Sequence, residues 1–289
     1  MLLNTFLHIP GMAEKHEESL WERSISSWDV FLMSNRTEIE KLVPIPYEYI
    51  VEFLKRSYDN FGIKNISFFQ QYLPVSYCWR LFPHFREEIA FLDIETSGIS
   101  RYHNYITTIS VYNGHTVSSY IKGKNLHEFI DDIFQYKILV TYNGTCFDIP
   151  FIEKEFAIHF DQLHIDLRYV LNRLGIKGGL KSCEKQVGID RSLLGGVDGY
   201  TAVLLWNDYM RNNTPESLET LLAYNCEDVI NLEKLLVYAY NRKSEETPFK
   251  KSMIPLQSKQ VKIPYKPDVL ILERIRGDNE DRSRISQWR

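Results

Sequence analysis

The chain has 289 residues, of which 44% are hydrophobic and 25% charged, close to the averages of soluble globular proteins. This composition excludes a chain that is disordered throughout. The formal net charge of -4 excludes a protein with a basic coat over its whole surface, so a nucleic-acid site would have to be a local basic patch.

The four cysteines, Cys78, Cys146, Cys183 and Cys226, form no CxxC pair. This spacing favours free thiols in a reducing cytoplasm over a disulfide framework or a zinc site. The first residues show no signal-peptide pattern, and no run approaches the roughly 18 apolar residues of a membrane span. We therefore expect a cytoplasmic protein that makes no contact with a membrane.

Residues 1–78 are predicted to form an N-terminal helical region, with helices over Glu14 to Trp21 and Tyr47 to Phe61. The segment from Phe6 to Gly11 resembles a helix–hairpin–helix, whose backbone N–H groups can hold a phosphate. Ala13 stands where that motif normally has a second glycine, and an acidic residue follows it. Binding of a DNA backbone and a purely structural or partner-docking role are both open at this point.

Strand patterns begin at Ile89, where an apolar run ends in carboxylates. Asn113-Gly114 is a strong hairpin signal between the alternating runs Tyr105 to Tyr112 and Val117 to Ile121, and Ile138 to Tyr142 predicts a further strand. Later helices are predicted at Leu126 to Phe134, Ile149 to Ala157, Leu167 to Leu174, Leu180 to Val187, Tyr200 to Met210 and Ser217 to Tyr240. Hairpin strands followed by alternating strands and helices predict an α/β domain over residues 79–241, with a mixed central sheet flanked by helices.

Residues 242–289 are predicted to be a basic, mobile C-terminal extension. From Asn241 to Lys266 there are seven basic and two acidic residues, and residues 273–289 mix both charges. The basic stretch either follows a nucleic-acid strand or is a solvated linker.

Acidic residues from three separate stretches are predicted to converge. Asp93 and Glu95 share one face at the end of a strand, and Asp148 lies at the start of a helix after the next strand. Tyr224 and Asp228 lie one turn apart on the last predicted helix, off its leucine-rich stripe. Each of these three motifs alone occurs often by chance. Only their order along the chain, together with their spacing, indicates a site.

Converging carboxylates repel one another unless a hard divalent cation binds among them. Two such ions about 3.5–4 Å apart can stabilise the attacking and leaving oxygens of a phosphodiester displacement. A tyrosine hydroxyl nearby can orient the attacking water and help to take its proton. The pattern therefore indicates metal-dependent phosphodiester hydrolysis.

With these motifs the chain resembles the tyrosine subclass of the DEDD 3′–5′ exonucleases, and most closely the YprB-like group of predicted exonucleases. The resemblance covers roughly residues 79–240. It rests on Trp79-Arg80-Leu81-Phe82-Pro83, Phe91-Leu92-Asp93-Ile94-Glu95-Thr96-Ser97-Gly98, Val140-Thr141-Tyr142-Asn143-Gly144 with Phe147-Asp148, His164-Ile165-Asp166-Leu167, Gly178-Gly179-Leu180-Lys181 and Tyr224-Asn225-Cys226-Glu227-Asp228.

The resemblance implies a ribonuclease-H-like fold and a 3′–5′ exonuclease that acts on the 3′ end of DNA or RNA with two Mg²⁺ or Mn²⁺ ions. Tyr224 would position the water, and the implied metal ligands are Asp93, Glu95, Asp148 and Asp228. A histidine subclass would need His at position 223, which is Ala223. Ribonuclease H itself does not space its first two acids as Asp-x-Glu.

Three further residues are candidates for substrate binding, each with a plainer alternative. Thr96 either bonds the terminal sugar or phosphate or belongs to an ordinary turn. Asn143 either contacts the substrate or braces its turn, and Lys181 is either a phosphate contact or a solvated helix charge. Asp166 is either a support of a metal ligand or half of a satisfied buried pair with His164.

Two other functions compete with the exonuclease. The chain could be a nucleic-acid-binding module with vestigial chemistry, in which case binding would not depend on metal. It could also be a structure-selective endonuclease, which would cut a closed circle that an exonuclease cannot enter.

Overall fold

The computed structural model describes residues 1–191, 194, 196–250, 253–255 and 261–286, the stretch from 278 onward by its backbone alone. The chain divides into two compact units. The first consists of Met1–Glu87 and Leu236–Leu256, and the second of Glu88–Leu235 and Gln257–Arg289. Among the helices in the described ranges, none is both long and apolar enough to cross a lipid bilayer. All four cysteines are free thiols, as predicted.

The first unit is built from helices. Its 3₁₀ helices cover Leu2–Asn4 and Val75–Leu81, and its α-helices are α1 (Glu14–Glu22), α2 (Trp28–Met33), α3 (Arg36–Leu42), α4 (Tyr47–Gly62) and α5 (Ile66–Tyr72). The side chains of Ser27 and Asn35 cap α2 and α3 by accepting backbone N–H groups. The two predicted helices are confirmed as α1 and α4.

The segment from Phe6 to Gly11 forms turns between a three-residue 3₁₀ helix and α1. A single 3₁₀ turn thus stands where a helix–hairpin–helix has its first helix. Phe6 and Ile9 are buried, and the Phe6 N–H donates to the Glu17 carboxylate over 2.6 Å. Arg80 forms a buried ion pair with the same carboxylate over 2.7 Å. Residues 6–9 are therefore part of the core of their unit, whereas Pro10 and Gly11 are exposed.

The second unit contains a five-stranded mixed sheet, which confirms the predicted α/β class. The strand order is β3-β2-β1-β4-β5. β1 is antiparallel to β2 and parallel to β4, β2 is antiparallel to β3, and β4 is parallel to β5. The strands are β1 (Ile89–Thr96), β2 (Ile106–Tyr112), β3 (Val117–Ile121), β4 (Ile138–Thr141) and β5 (Leu163–Asp166).

One edge of this sheet gathers the functional candidates, and we call it the carboxyl edge. The parallel strands β1, β4 and β5 all end there. Because β2 is antiparallel to β1, it begins there, with Ile106 opposite Thr96, and β3 ends there, with Ile121 opposite Thr108. A register shift between Glu95 and Thr96 interrupts the pairing at this point, as is common next to functional sites.

Helices cover the sheet and follow the predicted pattern closely. They are α6 (Phe129–Ile133), α7 (Asp148–Phe156), α8 (Leu167–Asn172), α9 (Leu180–Val187), α10 (Gly199–Asn212) and α11 (Pro215–Glu245). The leucine-rich stripe of α11 is buried as predicted.

The sequence assigned no element to residues 242–289, but a helix, α12 (Val269–Ser286), lies there. Leu272 and Ile275 are buried in a cluster with Leu205 and Trp206 of α10, because two apolar residues three apart share one helix face. Residues 251–252, 256–260 and 287–289 of the predicted mobile extension lie outside the described residues. The predicted boundaries near residues 78 and 241 stay a prediction.

Candidate metal centre

Three of the predicted carboxylates meet at the carboxyl edge. Asp93 and Glu95 project from the same face of β1 because side chains alternate along a strand, and Asp228 reaches them from α11. One carboxylate oxygen of each lies within 4.8 Å of those of the other two. Glu95 and Asp228 are buried and Asp93 is partly buried, so residues 135 positions apart in the chain form one acidic cluster.

Asp148 lies beside this cluster at the first position of α7, where the sequence placed it. Its carboxylate accepts the Ile94 N–H over 3.2 Å, and Ile94 stands between the two acids of β1. Burial raises the pKa of Asp148 to about 7, although the hydrogen bond from Ile94 opposes the shift. Asp148 is therefore fixed against the strand that carries Asp93 and Glu95.

Burial also raises the pKa values of the strand carboxyls well above their ordinary range. For both Asp93 and Glu95, the charge of Asp228 adds to this shift, and so does that of Asp148. Like charges held in a low-dielectric site raise one another's free energy. The cluster is thus electrostatically suited to a cation, and its donors are all oxygens.

Tyr224 lies one turn before Asp228 on α11 and is only 4% exposed. Burial, followed by the charges of Asp228 and Glu95, raises the pKa of its hydroxyl well above the usual value. The Lys181 ammonium lies 4.3 Å from the centre of the Tyr224 ring, and the Arg191 guanidinium lies 5.7 Å from it. The tyrosine therefore stays protonated and is held among both acids and cations.

Asn225 is a residue of this site that the sequence did not single out. Its Nδ2 donates to Asp93 Oδ2 over 2.6 Å, and its Oδ1 accepts the Thr108 hydroxyl over 3.2 Å. Asn225 therefore fixes the rotamer of the Asp93 carboxylate from the helix side. The only sequence signal was its place between Tyr224 and Asp228.

We expect Asn225→Ala to lower metal-dependent hydrolysis about 10- to 100-fold, the usual cost of removing a residue that orients a metal ligand. The Asp93 carboxylate would lose its donor and rotate more freely. Steady-state kinetics over a range of Mg²⁺ concentrations would show a weaker apparent metal affinity. Asn241→Ala, also on α11 and hydrogen-bonded to the backbone of Ile254, is the matched control, and an equal loss in both variants would contradict the positioning role.

Arg191 is the second missed residue. Its guanidinium donates to both carboxylate oxygens of Glu184 and to Asp228 Oδ1, and all three side chains are almost completely buried. Arg191 follows α9 in a stretch without a clear pattern, and its partners become neighbours only through the fold. It supplies a fixed positive charge on one side of the acidic cluster.

The three predicted substrate residues lie in different settings. The buried Thr96 hydroxyl donates to the Gly98 carbonyl over 2.7 Å, and Asn143, with a left-handed φ of 65°, accepts a hydrogen bond from Arg168. Both thus stabilise turns in this structure. Lys181 is half-buried over the Tyr224 ring and is not on a solvated helix face. Substrate contact by all three stays a prediction.

The Asp166 side chain fixes the turn after β4 through hydrogen bonds, and we call this set of bonds the Asp166 clamp. Its carboxylate accepts the backbone N–H groups of Asn143, Thr145 and Arg168 over 2.8–3.1 Å. His164 bonds instead to the Thr141 hydroxyl over 2.8 Å, so the two side chains are satisfied by different partners. The clamp orients the turn that leads to Asp148.

A surface cavity of about 640 Å³ lies beside this turn. Its lining includes the polar side chains of Tyr142, Asn143, Arg168 and Lys177 and the glycines at 178 and 179. Arg168 and Lys177 give it positive charge. The carboxyl edge therefore combines an acidic cluster with a basic cavity at its β4–β5 end.

Comparison with known proteins identifies a family. The model of the RNase H superfamily matches residues 90–240, which is more than half of the chain. Together with the mixed sheet, this match confirms the predicted ribonuclease-H-like fold. No curated protein matches the chain in sequence.

Several solved structures are similar at low identity. NrnC of Brucella melitensis with bound Mg²⁺ is 18% identical, with a TM-score of 0.40 over 60% of this chain and 81% of that one. The same protein bound to pGG is 17% identical, with a TM-score of 0.40 over 60% and 80% of the two chains. The family B DNA polymerase from the archaeon Pyrobaculum calidifontis is 13% identical, with a TM-score of 0.37 over 62% of this chain and 31% of that one.

Proposed function

The chain belongs to the RNase H superfamily, and we propose that it is a metal-dependent 3′–5′ exonuclease of the YprB-like group and the tyrosine subclass. Its substrates are the phosphodiester bonds at the 3′ ends of DNA or RNA. The observation that carries the proposal is the meeting of the Asp93, Glu95 and Asp228 carboxylates within 4.8 Å at the carboxyl edge. Free thiols are typical of proteins in a reducing compartment, and the four cysteines are free. A cytoplasmic location stays a prediction.

The donor set of this centre fits Mg²⁺ or Mn²⁺. These hard cations prefer carboxylate oxygens, and the cluster offers several, of which Asp228 also pairs with Arg191. Asp93, Glu95, Asp148 and Asp228 would hold two ions, which when bound stabilise the attacking and leaving oxygens of the phosphodiester and acidify a water. The carboxyls that burial keeps partly protonated in the metal-free protein would release their protons on binding.

The protein's own groups then orient the reactants. Tyr224 keeps its proton, so its hydroxyl can donate to the phosphate or hold the attacking water by accepting a hydrogen bond from it. Lys181 lies above the Tyr224 ring and near Glu95 and Asp228, where an ammonium can attract the scissile phosphate. Arg191 keeps Asp228 in a fixed position, and Asn225 does the same for Asp93.

The proposal is tested with 5′-labelled single strands of DNA and of RNA incubated with Mn²⁺. We expect a ladder that shortens from the 3′ end, release of mononucleotides, no cleavage of closed circles and complete inhibition by EDTA. Cleavage of circles would instead identify an endonuclease. Binding without hydrolysis of any strand, duplex or hybrid would identify the binding module with vestigial chemistry and would overturn the proposal.

A further inference from the structure

A second group of charged and aromatic side chains lies at the β2–β3 end of the carboxyl edge, outside the metal centre. In a chain of net charge -4, this patch concentrates cations that alternate with tyrosines. We call it the Tyr–Lys surface. It comprises Arg101, Tyr102, Tyr105, Lys122, Lys124, Lys154 and Tyr209.

One half of the surface is the loop between β1 and β2. Tyr102 is 70% exposed. The Arg101 guanidinium lies 5.2 Å from the centre of its ring, and the Lys154 ammonium of α7 lies 5.5 Å from it. Lys154 also donates to the Arg101 carbonyl. The exposed ring is thus held in place by two cations and still offers its surface to solvent.

The other half follows the end of β3. Lys122 lies 5.5 Å from the ring centre of Tyr105 and forms an ion pair with Glu155, which offsets part of its charge. Lys124 lies 5.5 Å from the ring centre of Tyr209. A cavity of about 310 Å³ lies beside both lysines, and its lining includes Lys122, Lys124, His127 and Glu155.

Further contacts connect Tyr105 to Tyr209 and to the end of β1. Trp206 donates to the Tyr105 hydroxyl over 3.2 Å and packs on Tyr209, with ring centres 5.6 Å apart. The backbone of Tyr105 pairs with Ser97. The surface therefore adjoins the end of β1, where Ser97 follows Glu95 by two residues.

We propose that the Tyr–Lys surface binds the single-stranded segment of nucleic acid that leads into the metal centre. This inference rests on the proposed function and extends it, because it makes the substrate a strand longer than a dinucleotide. Cations bind the phosphates, and unpaired bases stack on tyrosine rings whatever their sequence. A duplex would leave the exposed Tyr102 ring without a base to stack on, and an acidic peptide would use the cations alone.

Binding is measured separately from hydrolysis, by fluorescence anisotropy of a labelled 12-nucleotide single strand in EDTA. We expect Tyr102→Ala to raise Kd about tenfold, the usual cost of one lost base stack, and Tyr102→Phe to leave it nearly unchanged. Lys122→Gln combined with Lys124→Gln should reduce the slope of log K against log salt by about 0.7 per lysine. Lys41→Gln with Lys55→Gln, two exposed lysines of the other unit, is the matched control.

Hydrolysis then provides a second readout. In Mn²⁺ the Tyr102→Ala variant should lose the advantage in cleavage rate that longer strands have over a dinucleotide in the wild type. Unchanged single-strand binding in Tyr102→Ala, equal weakening in Tyr102→Phe, or equally tight binding of a blunt duplex would each overturn the inference. A wild-type protein that binds through this surface but cleaves nothing would refute the exonuclease and leave the binding surface intact.

Discussion

Asp93→Asn is expected to abolish hydrolysis and, at the same time, to stabilise the metal-free protein. Loss of one preorganised hydrogen-bond donor from an active site costs about 10²–10³ in rate, and loss of a metal ligand should cost at least that. The folded protein holds a proton on Asp93 that the unfolded chain releases, because the folded-state pKa lies well above the ordinary 3.8. The stability of the metal-free protein therefore falls as the pH rises above 3.8. In Asp93→Asn the side chain at position 93 is a neutral amide that does not ionise, so this part of the fall in stability disappears.

The variant should be more stable than the wild type in the metal-free state, and the difference should be larger at pH 8 than at pH 5. Thermal unfolding in EDTA at both pH values measures it. Asp131→Asn, which removes an exposed carboxylate of α6, is the control and should change neither activity nor stability. A variant that remains active, or that is less stable than the wild type at pH 8, would contradict the assignment of Asp93 to an acidic metal centre.

Arg191→Met is expected to destabilise the metal-free protein by about 3 kcal/mol, because removing one partner of a buried ion pair leaves the other charge unpaired. The variant leaves two buried carboxylates, those of Glu184 and Asp228, without the guanidinium that pairs with them. Bound Mg²⁺ would compensate Asp228 only, since the proposed centre does not include Glu184. Urea unfolding in EDTA and in millimolar Mg²⁺ should therefore show a larger stabilisation by metal in the variant than in the wild type.

A second substitution separates charge from packing. Arg191→Met combined with Glu184→Leu should recover much of the lost stability, because a buried ion pair can be replaced by apolar groups at little cost. Arg211→Met removes an exposed arginine of α10 and serves as the control. If the single variant is as stable as the wild type, Arg191 is not the counter-charge of this site.

The sequence predicted those features that follow from local patterns. The apolar run before Asp93, the Asn113-Gly114 hairpin and the helical spacing of Tyr224 and Asp228 each depend on neighbours in the chain, and the structure has all three. Asp148 was also placed correctly, since the first turn of a helix after a parallel strand lies at the carboxyl edge.

The features that the sequence did not reveal depend on contacts between distant segments. Arg191 has no local pattern, and its role arises only because α9 and α11 approach each other. The sequence left Lys181 open as a phosphate contact or a solvated helix charge, and only the fold places it over the Tyr224 ring. In α12, the apolar residues Leu272 and Ile275 are diluted by charged neighbours, so their burial against α10 was not legible in the sequence.

The backbone pairing of Ser97 with Tyr105 has a consequence for engineering. These two residues close the loop of residues 98–104 at its base, so the loop starts and finishes on a fixed pair, and Lys154 of α7 bonds to the Arg101 carbonyl within it. Length variants or grafted segments can replace the tip without shifting β1. The loop can therefore be exchanged to alter substrate preference while Asp93 and Glu95 of β1 keep their positions.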